Sequence, residues 1–225
     1  MITDKVKVRE IIAKRVALEL HDGDIVNLGI GIPTLVGNYL PQGVHIFLQS
    51  ENGVLGMGGA PKLGHENKDM NNAGGMPAAF LPGAAAFDSA TSFGLIRGGH
   101  VAATVLGALQ VDEKGHLANW MIPGKLIPGM GGAMDLVTGA KKVIVSMTHL
   151  QKDGSAKIIP ECTLPLTSIR KIDLIVTEAA VIEVTDNGLL LKELGPDTTL
   201  EEVIQATSAK LTLSDDLKPM PIQMS

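Results

Sequence analysis

Between residues 25 and 53 the chain reads "IVNLGI", then "PTLVGNYL" opened by Pro33, then "VHIFLQ" running into "SENG". An apolar run, a glycine turn, a short helical stretch and a second apolar run make a strand–helix–strand unit, which closes as a right-handed parallel βαβ crossover. Proline suits the first turn of the helix, where its missing N–H costs nothing. The second strand ends on Glu51, directly before Asn52-Gly53, a pair that tolerates positive φ and signals a tight turn. A carboxylate is thus presented at the lip of a buried strand.

The remaining segments continue the same pattern. Val8, Ile11, Ile12, Val16 and Leu20 recur at helical spacing through residues 5–20, and Gly23 ends that helix. Residues 57–76, rich in Gly, Asn, Lys and Pro, predict a surface loop. A helix follows around "DSATSFGLI", a strand in "HVAATVLGAL", and a hairpin in "QVDEKGHLANW" turning at Glu113-Lys114-Gly115. "KKVIVSM" and "DLIVTEAAVIEV" are strand material, "DNG" at 186–188 is a hairpin turn, and "TLEEVIQATSA" is a helix capped by Thr198 or Thr199. The expectation is one mixed α/β domain over residues 1–225, with a loose tail after about Ser214.

Composition narrows the function classes. The chain is 45% hydrophobic with only 3% aromatics, so aliphatic packing and close backbone approach at glycines must build the core. A net charge of −5 without a basic run disfavours nucleic-acid binding. No apolar run approaches the ~20 residues of a membrane span, and the start lacks a signal-peptide core, so a cytoplasmic protein is expected. The single cysteine, Cys162, excludes an intrachain disulfide and reads as a small apolar residue. The six histidines share no metal-ligand spacing, and "HENKD" has Asp69 where H-E-x-x-H needs its second histidine. No metal is expected.

Two glycine constellations stand beside Glu51. "NLGIGIPT" lies between a strand and a helix, where backbone amides can meet a ligand. It partly imitates a dinucleotide fingerprint, with Gly29, Gly31 and an acid, Glu51, twenty residues further on. The third glycine is missing, however, and Pro33 stiffens the turn. "PGMGGAMDL" (128–136) places Gly129, Gly131 and Gly132 before a helical stretch; such a loop either needs unusual backbone angles or aims N–H groups at developing negative charge. Trp120 is expected to pack in the core or an interface.

Taken in order, "NLGIGIPT", "LQSENGVLG", "LPGAAAFDSATSFGLIRGGH", "VLGALQVDEKGHLANWMIPGK" and "GMGGAMDLVTGAKKVIV" resemble the β subunit of family I CoA-transferases, over about residues 5–213. The likeness is to enzymes acting on acetate, butyrate and acetoacetate and to the C-terminal half of succinyl-CoA:3-oxoacid CoA-transferase. It implies an open, mixed, largely parallel α/β sheet flanked by helices, related to ribose-5-phosphate isomerase-like proteins. It also implies that Glu51 is the covalent nucleophile and that the Gly132 amide serves the oxyanion. Asn27, Gly29, Gly31, Asn52, Gly53 and Gly131 become candidate contacts to coenzyme A, which enters as a thioester substrate, with no permanently bound cofactor. The implied partner is an α subunit, in an α2β2 assembly, and the other ligands are small carboxylic acids. The loop 57–76 is expected to help choose the acyl group. A dicarboxylate-specific transferase of the same fold and a non-enzymatic metabolite-binding module are the alternatives. One departure is Ala102, where the family usually carries Asp or Asn after "RGGHV"; it removes a local polar contact and leaves the nucleophile untouched.

Overall fold

A computed structural model describes residues 2–124 and 129–223. Lys125, which closes the fourth motif, and Pro128, which opens the second glycine loop, lie outside the described residues. Helix α1 (Lys5–Ala17) is capped by Asp4, whose side chain accepts from the Val6 and Lys7 amides. Strand β1 (Ile25–Leu28) leads into a short helix α2 (Ile32–Leu35) that tightens into one 3₁₀ turn over Val36–Asn38. Strand β2 (Phe47–Ser50) then pairs in parallel with β1, as the opening pattern predicts.

The chain continues through the antiparallel strands β3 (Val54–Met57) and β4 (Phe80–Ala86), then helix α3 (Ser89–Arg97) and strand β5 (Ala103–Leu106). Strands β6 (Gln110–Asp112) and β7 (Leu117–Ala118) form the hairpin expected at Glu113–Gly115. Helix α4 (Ala133–Gly139) and strand β8 (Lys142–Ser146) follow, and β9 (Ile158–Ile159) joins β6 and β7 in a small second sheet. Strands β10 (Leu174–Val176), β11 (Ala180–Thr185) and β12 (Gly188–Leu194), helix α5 (Leu200–Ala206) and strand β13 (Leu211–Pro219) complete the fold.

The main sheet runs β13-β12-β11-β10-β8-β5-β1-β2-β3-β4. Its centre, from β10 to β2, is wholly parallel, and antiparallel pairs flank it on both sides. Each central strand has two buried faces, and β8 shows the pleat directly. Val143 and Val145 pack with Ile96, Leu136, Leu117 and Ile158 under α3, α4 and the small sheet, while Ile144 packs with Ile11, Ile12 and Val16 of α1. A buried Arg15 fastens α1 to the sheet through Glu193 of β12 (2.6 and 3.0 Å) and to Glu19 (2.7 Å).

The strand material expected in "DLIVTEAAVIEV" forms two strands: the segment folds back at Thr177, whose hydroxyl accepts from the Ala179 and Ala180 amides and so caps a turn between β10 and β11. One feature corrects the sequence reading. The segment past Ser214 is not loose. Residues 211–219 pair in parallel with β12, and Met220 is buried beyond them. The partner strand supplies backbone hydrogen bonds that a polar, alternating edge sequence does not advertise.

His149 sits fully buried beyond β8, with Nδ1 2.9 Å from the Thr177 hydroxyl and Nε2 2.9 Å from that of Thr207. Burial lowers its pKa to about 4. The unfolded chain therefore takes up a proton near pH 6.5 that the folded chain refuses until about pH 4, and stability contributed by His149 is lost as pH falls through that window. The effect amounts to about 3 kcal/mol at most. Urea denaturation between pH 7 and pH 4.5 is expected to show a smaller loss of stability in His149→Gln than in the unaltered chain. That difference separates His149 from its neighbour Glu178, whose carboxyl burial pushes up. Equal pH dependence in the two proteins would contradict the assignment.

Candidate active site

Strand β1 is where the sheet's connections change direction: the chain moves to β2 on one side and later to β5, β8 and β10 on the other. Crevices at such a point, beyond the carboxyl ends of the strands, are where open α/β sheets hold ligands. A cavity of about 740 Å³ lies here. Gly29 after β1, Glu51 after β2 and Gly107 after β5 line it, and the loop Gly129–Gly132 and Trp120 contribute from the opposite side.

Glu51 occupies the first position of the turn between β2 and β3. Gly53 closes that turn, its N–H donating to the Ser50 carbonyl (3.0 Å) and its carbonyl accepting from the Phe87 amide (2.9 Å). Its φ is +116°, and an added Cβ would run into the Phe87 carbonyl oxygen, so only glycine fits. Asn27, level with Gln49 in the β1–β2 register, donates from Nδ2 to Glu51 Oε2 at 3.2 Å. On the other side lies Gly132, so near that a Cβ built on it would be 3.1 Å from Glu51 Cγ and 3.4 Å from Cδ. Gly132 caps the N-terminus of α4, and among the described residues its N–H has no hydrogen-bond partner. The chain thus brings one carboxylate, one side-chain amide and one backbone amide together from three separate segments.

Of the residues singled out in the sequence, Asn27, Gly29, Glu51, Gly131 and Gly132 line the cavity. The Gly29 amide is already used, donating to the Val105 carbonyl at 2.8 Å. Gly31, Asn52 and Gly53 lie outside the lining. Gly31 starts α2, Gly53 shapes the turn, and Asn52 donates to the Asn71 carbonyl at 2.7 Å, tying the turn to the loop 57–76. That loop reaches the cavity through Met57, Asn72, Ala73 and Gly74, and the Ala73 amide donates to Ser50 Oγ at 3.0 Å.

Gln49 and Asn119 also line the site, and sequence reasoning misses both; their only signal is a polar residue in an otherwise apolar strand or hairpin. Trp120 stands in the cavity wall with Nε1 donating to the Leu166 carbonyl (3.3 Å). Ala102 stands before β5, at the end of that strand remote from the cavity, and its backbone bridges to Ile25 and Lys142. Cys162 is half-buried, its thiol pushed up to about 12 by burial and by the charges of Asp112 and Glu161. Among the described residues no group of three His, Cys, Asp or Glu side chains could hold a metal ion.

A sequence model described as "Coenzyme A transferase" matches residues 9–206. The chain belongs to the coenzyme A transferase family. It is 56% identical over 214 residues to the beta subunit of the acetate CoA-transferase of Haemophilus influenzae, covering 95% of this chain and 96% of that one. It is 48% identical over 209 residues to the corresponding subunit of a probable succinyl-CoA:3-ketoacid coenzyme A transferase of Bacillus subtilis, covering 93% and 97%. The fold matches an acyl-CoA transferase (YdiF) apoenzyme from Escherichia coli O157:H7, with a TM-score of 0.75 at 22% identity over 98% of this chain and 44% of that one. As a CoA-transferase the chain is an enzyme, which removes the non-enzymatic binding module.

The closeness of Gly132 to Glu51 sharpens what substitution should do. Gly132 has φ −83°, an angle open to any residue, so Gly132→Ala is expected to fold with little change in melting temperature. Its methyl group must nevertheless displace Glu51. The contact requires Glu51 to give by a few tenths of an ångström. Misplacement near 1 Å can cost ~100-fold in rate, so turnover should fall by about several-fold, well short of that. Gly132→Pro removes the N–H as well and should be lower still. A folded Gly132→Ala enzyme with undiminished turnover would show that the contact does not matter.

Proposed function

We propose that this chain is the β subunit of a CoA-transferase that moves coenzyme A between short-chain acyl or 3-oxoacyl thioesters and carboxylates from the set acetate, butyrate, acetoacetate and succinate, with Glu51 as its covalent nucleophile. The observation that carries this reading is that Glu51 is the one ionisable side chain among the described residues lining the cavity.

The chemistry conserves the thioester throughout. A Glu51 carboxylate oxygen attacks the carbonyl carbon of the donor thioester, the C–S bond breaks, and the CoA thiolate leaves behind a mixed anhydride. The thiolate then attacks Cδ of Glu51; the anhydride C–O bond breaks, the donor carboxylate departs, and Glu51 carries coenzyme A as a γ-glutamyl thioester. The acceptor carboxylate runs both steps in reverse, a ping-pong course with no net proton change. Every attack passes through an oxyanion, for which the Gly132 N–H is the donor. Losing one such donor typically costs ~3–4 kcal/mol. Both covalent intermediates react with water, so the site must be closed during turnover.

Closure falls to an α subunit, in an α2β2 assembly working in the cytoplasm. The naming of the bacterial relatives as single subunits supports a partner, as does the YdiF chain, more than twice as long as this one. A surface suited to that partner adjoins the site. Residues 71–87 carry no charge, yet β4 is the exposed edge of the main sheet, with Leu81 on its surface and Phe47 exposed on nearby β2. Edge strands left in solvent usually carry charges that discourage pairing. Leu81→Asp should leave the isolated chain folded and abolish co-purification with the α subunit. Retention of the complex at unchanged affinity would place the partner elsewhere.

Glu51 itself is tested by trapping. Incubating the complex with acetoacetyl-CoA, without an acceptor acid, is expected to leave part of Glu51 as the thioester. Borohydride then reduces it to the alcohol, inactivating the enzyme and marking the peptide that contains "SENG". Glu51→Gln should not be trapped, and Glu51→Asp should be slowed about 100-fold by the withdrawn carboxylate. Wild-type turnover by Glu51→Gln, with no amide hydrolysis in the mass spectrum, would remove Glu51 from the mechanism.

A further inference from the structure

Beneath Glu51 lies a buried polar layer that the reaction itself does not use. Gln49, Asn27 and Thr104 stand level on adjacent strands β2, β1 and β5, all pointing to the face covered by α3. Gln49 and Asn27 are each only 2% exposed, and Ser92 of α3, above them, is fully buried. Ser92 Oγ donates to the Ser50 carbonyl (3.4 Å) and accepts from Gln49 Nε2 (3.0 Å). Gln49 Oε1 in turn accepts from Asn27 Nδ2 (2.8 Å), the same nitrogen that donates to Glu51.

The direction of this chain of bonds is fixed at its ends. A backbone carbonyl can only accept, so Ser92 spends its single O–H on Ser50 and must accept from Gln49. Gln49 then has its NH2 toward Ser92 and its oxygen toward Asn27. Asn27 must present NH2 rather than oxygen, and the Gln49 carbonyl, 3.2 Å from Asn27 Nδ2, demands the same. An Asn27 amide turned the other way would set its oxygen against the Glu51 carboxylate, a repulsive contact. The β5 side offers no help: among the described residues Thr104 Oγ1 is buried without a partner. The hold on Asn27 comes from β2 and α3.

We propose that Gln49 and Ser92 are positioning residues that lock the Asn27 amide so that it donates to Glu51, keeping the carboxylate aimed into the cavity beside Gly132. The proposal rests on Glu51 being the nucleophile. Gln49 lines the cavity and Ser92 does not, but in this role both act on the reaction through Asn27. Their loss should therefore slow the acylation of Glu51 and leave substrate binding largely intact.

The test is a double-mutant cycle in the αβ complex, assayed with acetoacetyl-CoA and acetate. Gln49→Met keeps the side-chain length and apolar packing but loses the polar end; Ser92→Ala removes one atom. Gln49→Met is expected to lower kcat about 10- to 100-fold, and Ser92→Ala somewhat less, with KM for the thioester within about threefold. In an Asn27→Ala background, either substitution should cost less than about twofold more, because the residue it orients is gone. A purely structural role predicts the opposite, the same proportional loss in both backgrounds, and that result overturns the inference. So does full activity of Asn27→Ala, or of both single variants. If Gln49→Met does not fold, Ser92→Ala carries the same comparison. Glu51→Gln assayed in parallel separates the two ideas: an inactive Glu51→Gln with fully active Gln49→Met and Ser92→Ala refutes only the positioning role, whereas a fully active Glu51→Gln refutes the nucleophile on which it rests.

Discussion

The parallel pairing of β1 with both β2 and β5 is the constraint on which the site depends. Register in a parallel pair fixes which side chains stand level, and here it sets Asn27 beside Gln49 and brings three strand ends to one line. A slip of one residue would turn Asn27 to the α1 face and take away the amide that meets Glu51. The apolar residues on either side make such a slip costly, since Val26 and Leu28 would change faces with it. Core packing and active-site geometry are therefore one problem in this fold, solved by the same hydrogen-bonded ladder.

The rest of the site is built by close approach. Gly53 lets the turn after β2 lie against Phe87, and Gly132 lets the start of α4 lie against Glu51. A chain with few aromatic side chains leaves room for backbone to meet side chain directly, and the site uses that room. Glycines cost conformational entropy on folding, about 0.5–1 kcal/mol each relative to alanine. The buried Arg15–Glu193 pair and the paired outer strands anchor the rest of the sheet around them.

How much of this is legible in the sequence depends on whether the signal is local. The βαβ unit, the hairpin at Glu113–Gly115 and the capping of the last helix by Thr199 are each written within a few residues, and each can be read there. Glu51 is legible as a presented carboxylate because its strand and its turn are contiguous. The tail misleads because residues 211–219 are polar on an exposed edge, and their order comes from pairing with β12 rather than from their own composition. Strand β4 is hard to see because "FLPGAAA" has weak intrinsic strand preference and is held by β3. Gln49 and Ser92 escape notice because a strand residue and a helix residue meet only once the packing of α3 on the sheet is known. The roles proposed for Glu51 and Gly132 rest on the family resemblance, and the folded chain adds that no side chain at 132 would fit without crowding Glu51.

The half-buried Cys162 has a consequence for a protein whose substrate is itself a thiol. Coenzyme A in a cell is accompanied by its disulfides, and a protein thiolate exchanges with them to form mixed disulfides. With its pKa pushed up to about 12, Cys162 is ionised in only roughly one molecule in a hundred thousand at pH 7. The chain has no second cysteine to take its place. The burial of one side chain, together with two nearby carboxylates, thus disfavours S-thiolation at the chain's single cysteine, by keeping its sulfur in the unreactive thiol form.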